Sequence, residues 1–81
     1  MISMEPVKLN ASEWNVLNCL WEEHPRTVMQ LVADLERSVG WAKSTTITTL
    51  RRMEEKELVS VEQAGRSKSY TPAVEREQAV T

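Results

Sequence analysis

The stretch GWAKSTTITTLRRMEEKELV, residues 40–59, decides the fold. Gly40 suits the left-handed turn that ends a helix, and only a few residues separate it from the next helical segment. From about Lys43 to Lys56, Ile47, Leu50 and Met53 recur at helical steps and mark an inner side. Two helices across a tight, glycine-containing turn make a helix-turn-helix. Ser44, Thr45, Thr46, Thr48 and Thr49 crowd into the second of them, although the branched threonine side chain loses rotamer freedom against the preceding turn. Short hydroxyl side chains let a helix approach a duplex closely, hydrogen-bond to phosphates or base edges, and offer a methyl group to thymine.

Upstream, Asn10 and Glu13 have the spacing of a capping box, and Trp14, Val16, Leu17, Leu20 and Trp21 then form one apolar stripe that ends at His24 and Pro25. Thr27 and Gln30 repeat the capping spacing. Val28, Leu31, Val32, Leu35 and Val39 follow on the i, i+3, i+4 rule as far as Gly40. Downstream the period changes at Leu58: Val59 and Val61 alternate with Ser60 and Glu62, Gln63 to Arg66 form a turn centred on Gly65, and Ser67 to Thr71 run back as a second strand. The predicted architecture is mainly α with a small β-hairpin, a winged helix-turn-helix of three helices plus wing. Residues 1–8 read as an N-terminal arm and residues 9–74 as the winged-helix domain. Residues 75–81, polar and amphipathic enough to begin a further helix, read as the start of a truncated C-terminal dimerisation region.

With 81 residues there is room for one core, since a chain this short buries only about 60% of its unfolded surface. A composition 41% hydrophobic and 27% charged is that of a soluble globular domain. Cys19 is the only cysteine, which excludes an internal disulfide and a cysteine-rich zinc site and suits the reducing cytoplasm. MISMEPVK lacks the basic start and apolar run of a signal peptide, and no run approaches a membrane span, so no membrane role is expected.

The net charge of −2 is unevenly spread. Residues 1–40 set Lys8, Arg26 and Arg37 against Glu5, Glu13, Glu22, Glu23, Asp34 and Glu36, for −3; residues 41–70 set Lys43, Arg51, Arg52, Lys56, Arg66 and Lys68 against Glu54, Glu55, Glu57 and Glu62, for +2. Basic charge is therefore concentrated where a phosphate backbone would lie. Lys43 and Ser44 stand at a helix start, where free amides and the positive dipole end attract an anion. Thr45 and Thr48 reach outward, whereas Thr46 and Thr49 fall on the Leu50 and Met53 side as half-buried fillers. Arg51 and Arg52 either clamp the backbone or pair with Glu54 and Glu55. Arg66 and Lys68 flank a hairpin tip able to reach a phosphate or the minor groove. Tyr70 reads as a packing residue, as do Trp14, Trp21 and Trp41. Cys19 and His24 are too few for a metal site and lack a matching acid for a nucleophile–base pair. No paired carboxylates, phosphate loop or metal constellation is present, so neither enzyme activity nor a cofactor is expected.

SEWNVLNCLWE, TVMQLVADL, GWAKSTTITTLRRMEEKELV and GRSKSYTPAV, in this order from Leu9 to Val74, resemble the BlaI/MecI/CopY family of penicillinase-type and copper-responsive repressors. The resemblance implies a transcriptional repressor whose winged helix binds a palindromic double-stranded DNA operator as a homodimer, joined through a region beyond Thr81. Carried over by position, it implies that Lys43, Ser44, Thr45 and Thr48 face the major groove, Arg52 sits near the backbone, and Arg66 and Lys68 serve the wing. The chain departs from the family pattern at Thr46, where many members have a branched apolar residue, at Thr49, where they have leucine, and at Glu57, where they have glycine. A second reading is a winged helix that binds protein, supported by the acidic balance of residues 1–40.

Overall fold

A computed structural model describes residues 5–80; the first four residues of the expected arm, and Thr81, lie outside the described residues. Helix α1 (Ala11–Glu22) starts on the expected capping box: the Asn10 amide donates to Glu13 Oε1 at 3.0 Å and the Glu13 amide to Asn10 Oδ1 at 2.9 Å. Helix α2 (Val28–Val39) starts on the Thr27–Gln30 box and stops at Gly40, whose φ of 73° is the left-handed conformation that a side chain disfavours. Helix α3 (Lys43–Glu55) follows after the short turn carrying Trp41 and ends one residue short of the expected Lys56.

The exit from α3 closes tightly. The Leu58 amide reaches the Met53 carbonyl at 2.9 Å and the Glu57 amide the Glu54 carbonyl at 3.0 Å, with Met53 and Leu58 both buried. This pairing is a Schellman motif, and it places Glu57 at φ 59°, the left-handed conformation that favours glycine. The hairpin follows, with strands Val59–Ala64 and Ser67–Pro72 in a register that pairs Val61 with Tyr70. Gly65, at φ 62°, is the first central residue of their two-residue turn, the glycine position of a type II′ hairpin.

Three strands were not visible in the sequence pattern. Val7–Lys8 (β1) and Ala79–Val80 pair in parallel, and Arg26–Thr27 (β2) pairs antiparallel with the returning hairpin strand. Numbered in order, the hairpin strands are β3 and β4, Ala79–Val80 is β5, and β4 lies at the centre of the β2-β4-β3 sheet. Two-residue strands are too short to show a period, so only pairing reveals them. Where residues 75–81 were expected to begin a helix, the chain makes one 3-10 turn (Arg76–Gln78) and then β5. The Leu9 amide, donating to the Val80 carbonyl at 2.8 Å, helps to hold that extended end.

Leu9, Val16, Leu17, Leu20, Leu31, Leu35, Leu50, Met53, Leu58, Val59, Tyr70 and Val74 form one core to which all three helices and the sheet contribute. Val39 does not join it: 42% exposed, it shows the α2 stripe outrunning the core at its last turn. Trp14 and Trp21 pack edge to face with centroids 5.6 Å apart, and the Trp21 indole donates to the Val74 carbonyl at 2.8 Å. Trp41 is half-buried against the same core. Three helices and a three-stranded sheet ending in a hairpin make the winged helix-turn-helix that the pattern predicts.

Candidate nucleic-acid interface

Helix α3 is anchored by Thr46, Leu50 and Met53, all buried, and turns its opposite side to solvent. At 100° per residue, Ser44 and Thr48 stand nearly opposite that anchor, with Thr45 and Arg52 together on one flank and Arg51 on the other. All five are exposed. Ser44, Thr45, Thr48, Thr49 and Arg52 line one open groove with Ser12 of α1. Ser12 sits in the first turn of α1, where no sequence signal separates it from any other exposed serine; only the packing of α1 beside α3 brings it here. Thr49 is half-buried on the groove wall, its hydroxyl donating to the Thr45 carbonyl at 2.8 Å.

The start of α3 is open. Ala42 is its cap residue and supplies no side-chain hydrogen bond, and the first helical amides to find a backbone carbonyl are those of Thr45 and Thr46, both on Ala42. The Lys43 and Ser44 amides therefore point out of the helix end beside the exposed Lys43 side chain, a local arrangement favourable to an anion.

Ion pairing divides the cations into two groups. Arg26 pairs with Glu23 and Asp34, Arg37 with Asp34, Lys56 with Glu13 at 2.7 Å, and Lys68 with Glu54 at 3.2 Å. Among the described residues, Lys43, Arg51, Arg52 and Arg66 have no carboxylate partner, and neither do Lys8 and Arg76, which lie outside α3 and the wing. Of the two carboxylates the sequence offered Arg51 and Arg52, Glu54 is turned to the wing, where the Tyr70 hydroxyl donates to its Oε2 at 3.1 Å and the Lys68 ammonium lies alongside, and Glu55 forms no ion pair among the described residues. The hydrogen bond to Glu54 pushes the Lys68 ammonium pKa up; burial first, and the Glu54 charge second, push the Tyr70 phenol up.

The structure thus brings Ser44, Thr45, Thr48 and Arg52 onto one surface, with Lys43 at its helix-start end. Arg66, Ser67 and Lys68 line a separate cleft with Thr27, Val28 and Met29 at the start of α2. Met29, 59% exposed, is an apolar side chain at that cleft that periodicity alone marks only as off-stripe. The Cys19 thiol is pushed up, chiefly by burial and then by Asp34 and Glu22, while His24 Nδ1 lies 2.7 Å from the Leu20 carbonyl. No group of three or more His, Cys, Asp or Glu able to hold a metal occurs among the described residues, and none of their helices is long and apolar enough to cross a membrane.

A profile of the penicillinase repressor family matches residues 9–81. The chain belongs to the penicillinase repressor family. Among solved structures, this penicillinase repressor family member is similar to the DNA binding domain of the repressor BlaI, with a TM-score of 0.80 and 20% identity over 100% of this chain and 96% of that chain. The monomeric form of Bacillus licheniformis BlaI in complex with the blaP half-operator is similar at a TM-score of 0.79 and 20% identity, over 93% and 96% of the two chains. A HOP2 structure concerned with DNA recognition and protein interaction domains is similar at 0.69 and 17% identity, over 76% and 98%. At these identities the likeness establishes the fold alone. No curated protein matches the chain by sequence.

Proposed function

We propose that this chain is the DNA-reading module of a transcriptional repressor, inserting α3 into the major groove of an operator half-site and reaching the flanking backbone with its wing. The observation that carries the reading is the solvent side of α3: short hydroxyl side chains along a groove, an uncapped helix start, and cations left without carboxylate partners. Lys43, the Ser44 amide and Arg52 bind phosphates, Thr45 and Thr48 meet base edges, and Arg66 approaches the backbone from the wing tip. BlaI, of the same fold, engages a half-operator as a monomer, which supports one module reading one half-site. Two modules joined by a dimerising region outside residues 9–74 read a palindrome, in the cytoplasm where the operator lies, and gain roughly 100- to 10,000-fold in apparent affinity.

The test is binding to a duplex selected from a random pool, and to an unselected duplex, across a salt series. Log affinity falls linearly with log salt for both duplexes. Lys43→Ala and Arg52→Ala each reduce the slope by about 0.9 while the melting temperature holds. Replacing Thr45 or Thr48 changes preference at one operator position by roughly 1 to 3 kcal/mol. Association with duplex that ignores salt, or its absence at low salt, rejects the reading and favours a protein-binding winged helix.

A further inference from the structure

Glu54 follows Arg51 by three residues, a spacing at which an exposed helix pairs opposite charges. The pair does not form. Glu54 instead reaches residues 14 and 16 positions further along the chain, accepting from the Lys68 ammonium at 3.2 Å and from the Tyr70 hydroxyl at 3.1 Å. The same ammonium lies 5.8 Å over the Tyr70 ring. Tyr70 is only 2% exposed and sits on β4, the strand hydrogen-bonded on both sides, so its hydroxyl is held in place by the core.

The geometry points to Glu54, Lys68 and Tyr70 as a charge-compensated brace between α3 and the wing, in which Lys68 is a positioning residue and not a phosphate contact. The proposal rests on the DNA-binding reading and separates two wing cations that the sequence alone treats alike. Arg66, at the hairpin tip, has no carboxylate partner among the described residues and brings its full charge to a phosphate. Lys68 could reach a phosphate only by leaving Glu54, which would strand a carboxylate beside the duplex. Counterion release would then gain a cation and lose its value to the exposed anion. Held where it is, Lys68 occupies Glu54, keeps Arg51 free of it and sets the angle between the two elements that touch DNA.

Salt-dependent binding to a short mixed-sequence duplex distinguishes the roles, with circular-dichroism melts confirming that each variant folds. The double variant Glu54→Gln/Lys68→Gln removes one charge of each sign; its log–log salt slope matches the parent, and its affinity falls roughly threefold to tenfold because the wing is no longer held. Arg66→Gln lowers the slope by about 0.9. Glu54→Gln alone keeps an acceptor for Tyr70 and releases Lys68, so the slope steepens, by up to about 0.9. Lys68→Arg keeps the pair and restores parental affinity. A double variant that loses as much slope as Arg66→Gln, or that binds as tightly as the parent, overturns the brace. A parent that shows no salt-dependent binding overturns the DNA reading itself, and the brace with it.

Discussion

Thr46 is completely buried and its hydroxyl has no hydrogen-bond partner, an arrangement that leaves a polar group desolvated in the anchor of α3. Valine has nearly the same shape without that cost, so Thr46→Val raises unfolding free energy by about 1 kcal/mol in urea melts, and an unchanged or lower midpoint would refute the account. Glu57 is the complementary case, strained in its backbone and not in its side chain. Its φ of 59° disfavours any residue with a Cβ, and Glu57→Gly is expected to stabilise the domain by roughly 0.5–1 kcal/mol, the relief of strain being partly offset by the flexibility of glycine in the unfolded chain. Both departures from the family pattern were legible as departures in the sequence. That one is a desolvated hydroxyl and the other a left-handed carboxylate residue was not, because burial and φ are properties of the folded chain.

At the scale of elements, α1 and α2 each open on a complete capping box, whereas α3 opens on Ala42 with no side-chain cap. Ala42 already has the extended backbone of a cap residue, φ −70° and ψ 156°, so Ala42→Asp fits without rearrangement. It is expected to raise stability by about 1 kcal/mol while weakening duplex binding, since the new carboxylate takes the amides and repels the phosphate. Parallel melts and salt titrations check this opposition; tighter binding would remove the helix start from the interface. The three helices, both capping boxes, the Gly40 stop and the Gly65 hairpin were readable because each is coded within a few consecutive residues. The strands β1, β2 and β5 were not, since a two-residue segment becomes a strand only when a distant partner supplies its hydrogen bonds.

Across the molecule, the Cys19, Lys68 and Tyr70 side chains are all shifted in one direction. Cys19 is raised mainly by burial, Lys68 by its hydrogen bond to Glu54 and Tyr70 mainly by burial. In each the folded state holds its proton longer than the unfolded state. Stability is therefore full below the unfolded values, 9.0 for the thiol, 10.5 for the ammonium and 10.0 for the phenol, and is lost as pH rises through the folded ones. Urea midpoints are expected to hold near neutrality and fall in the alkaline range, less steeply in Tyr70→Phe than in the parent. A flat profile there would contradict the assignment.

The sequence by itself determined the helix-turn-helix, the hairpin and which segment carries the hydroxyl-rich side, because period, caps and turn residues act over four or five positions. Only tertiary structure decided which cations are free to act. Glu13 meets Lys56 across 43 residues and Glu54 turns from its helical neighbours to Lys68 and Tyr70, while Ser12 joins the α3 groove and Val39 is left outside the core. A charge finds its partner through the packing of whole elements, and no spacing along the chain records that distance.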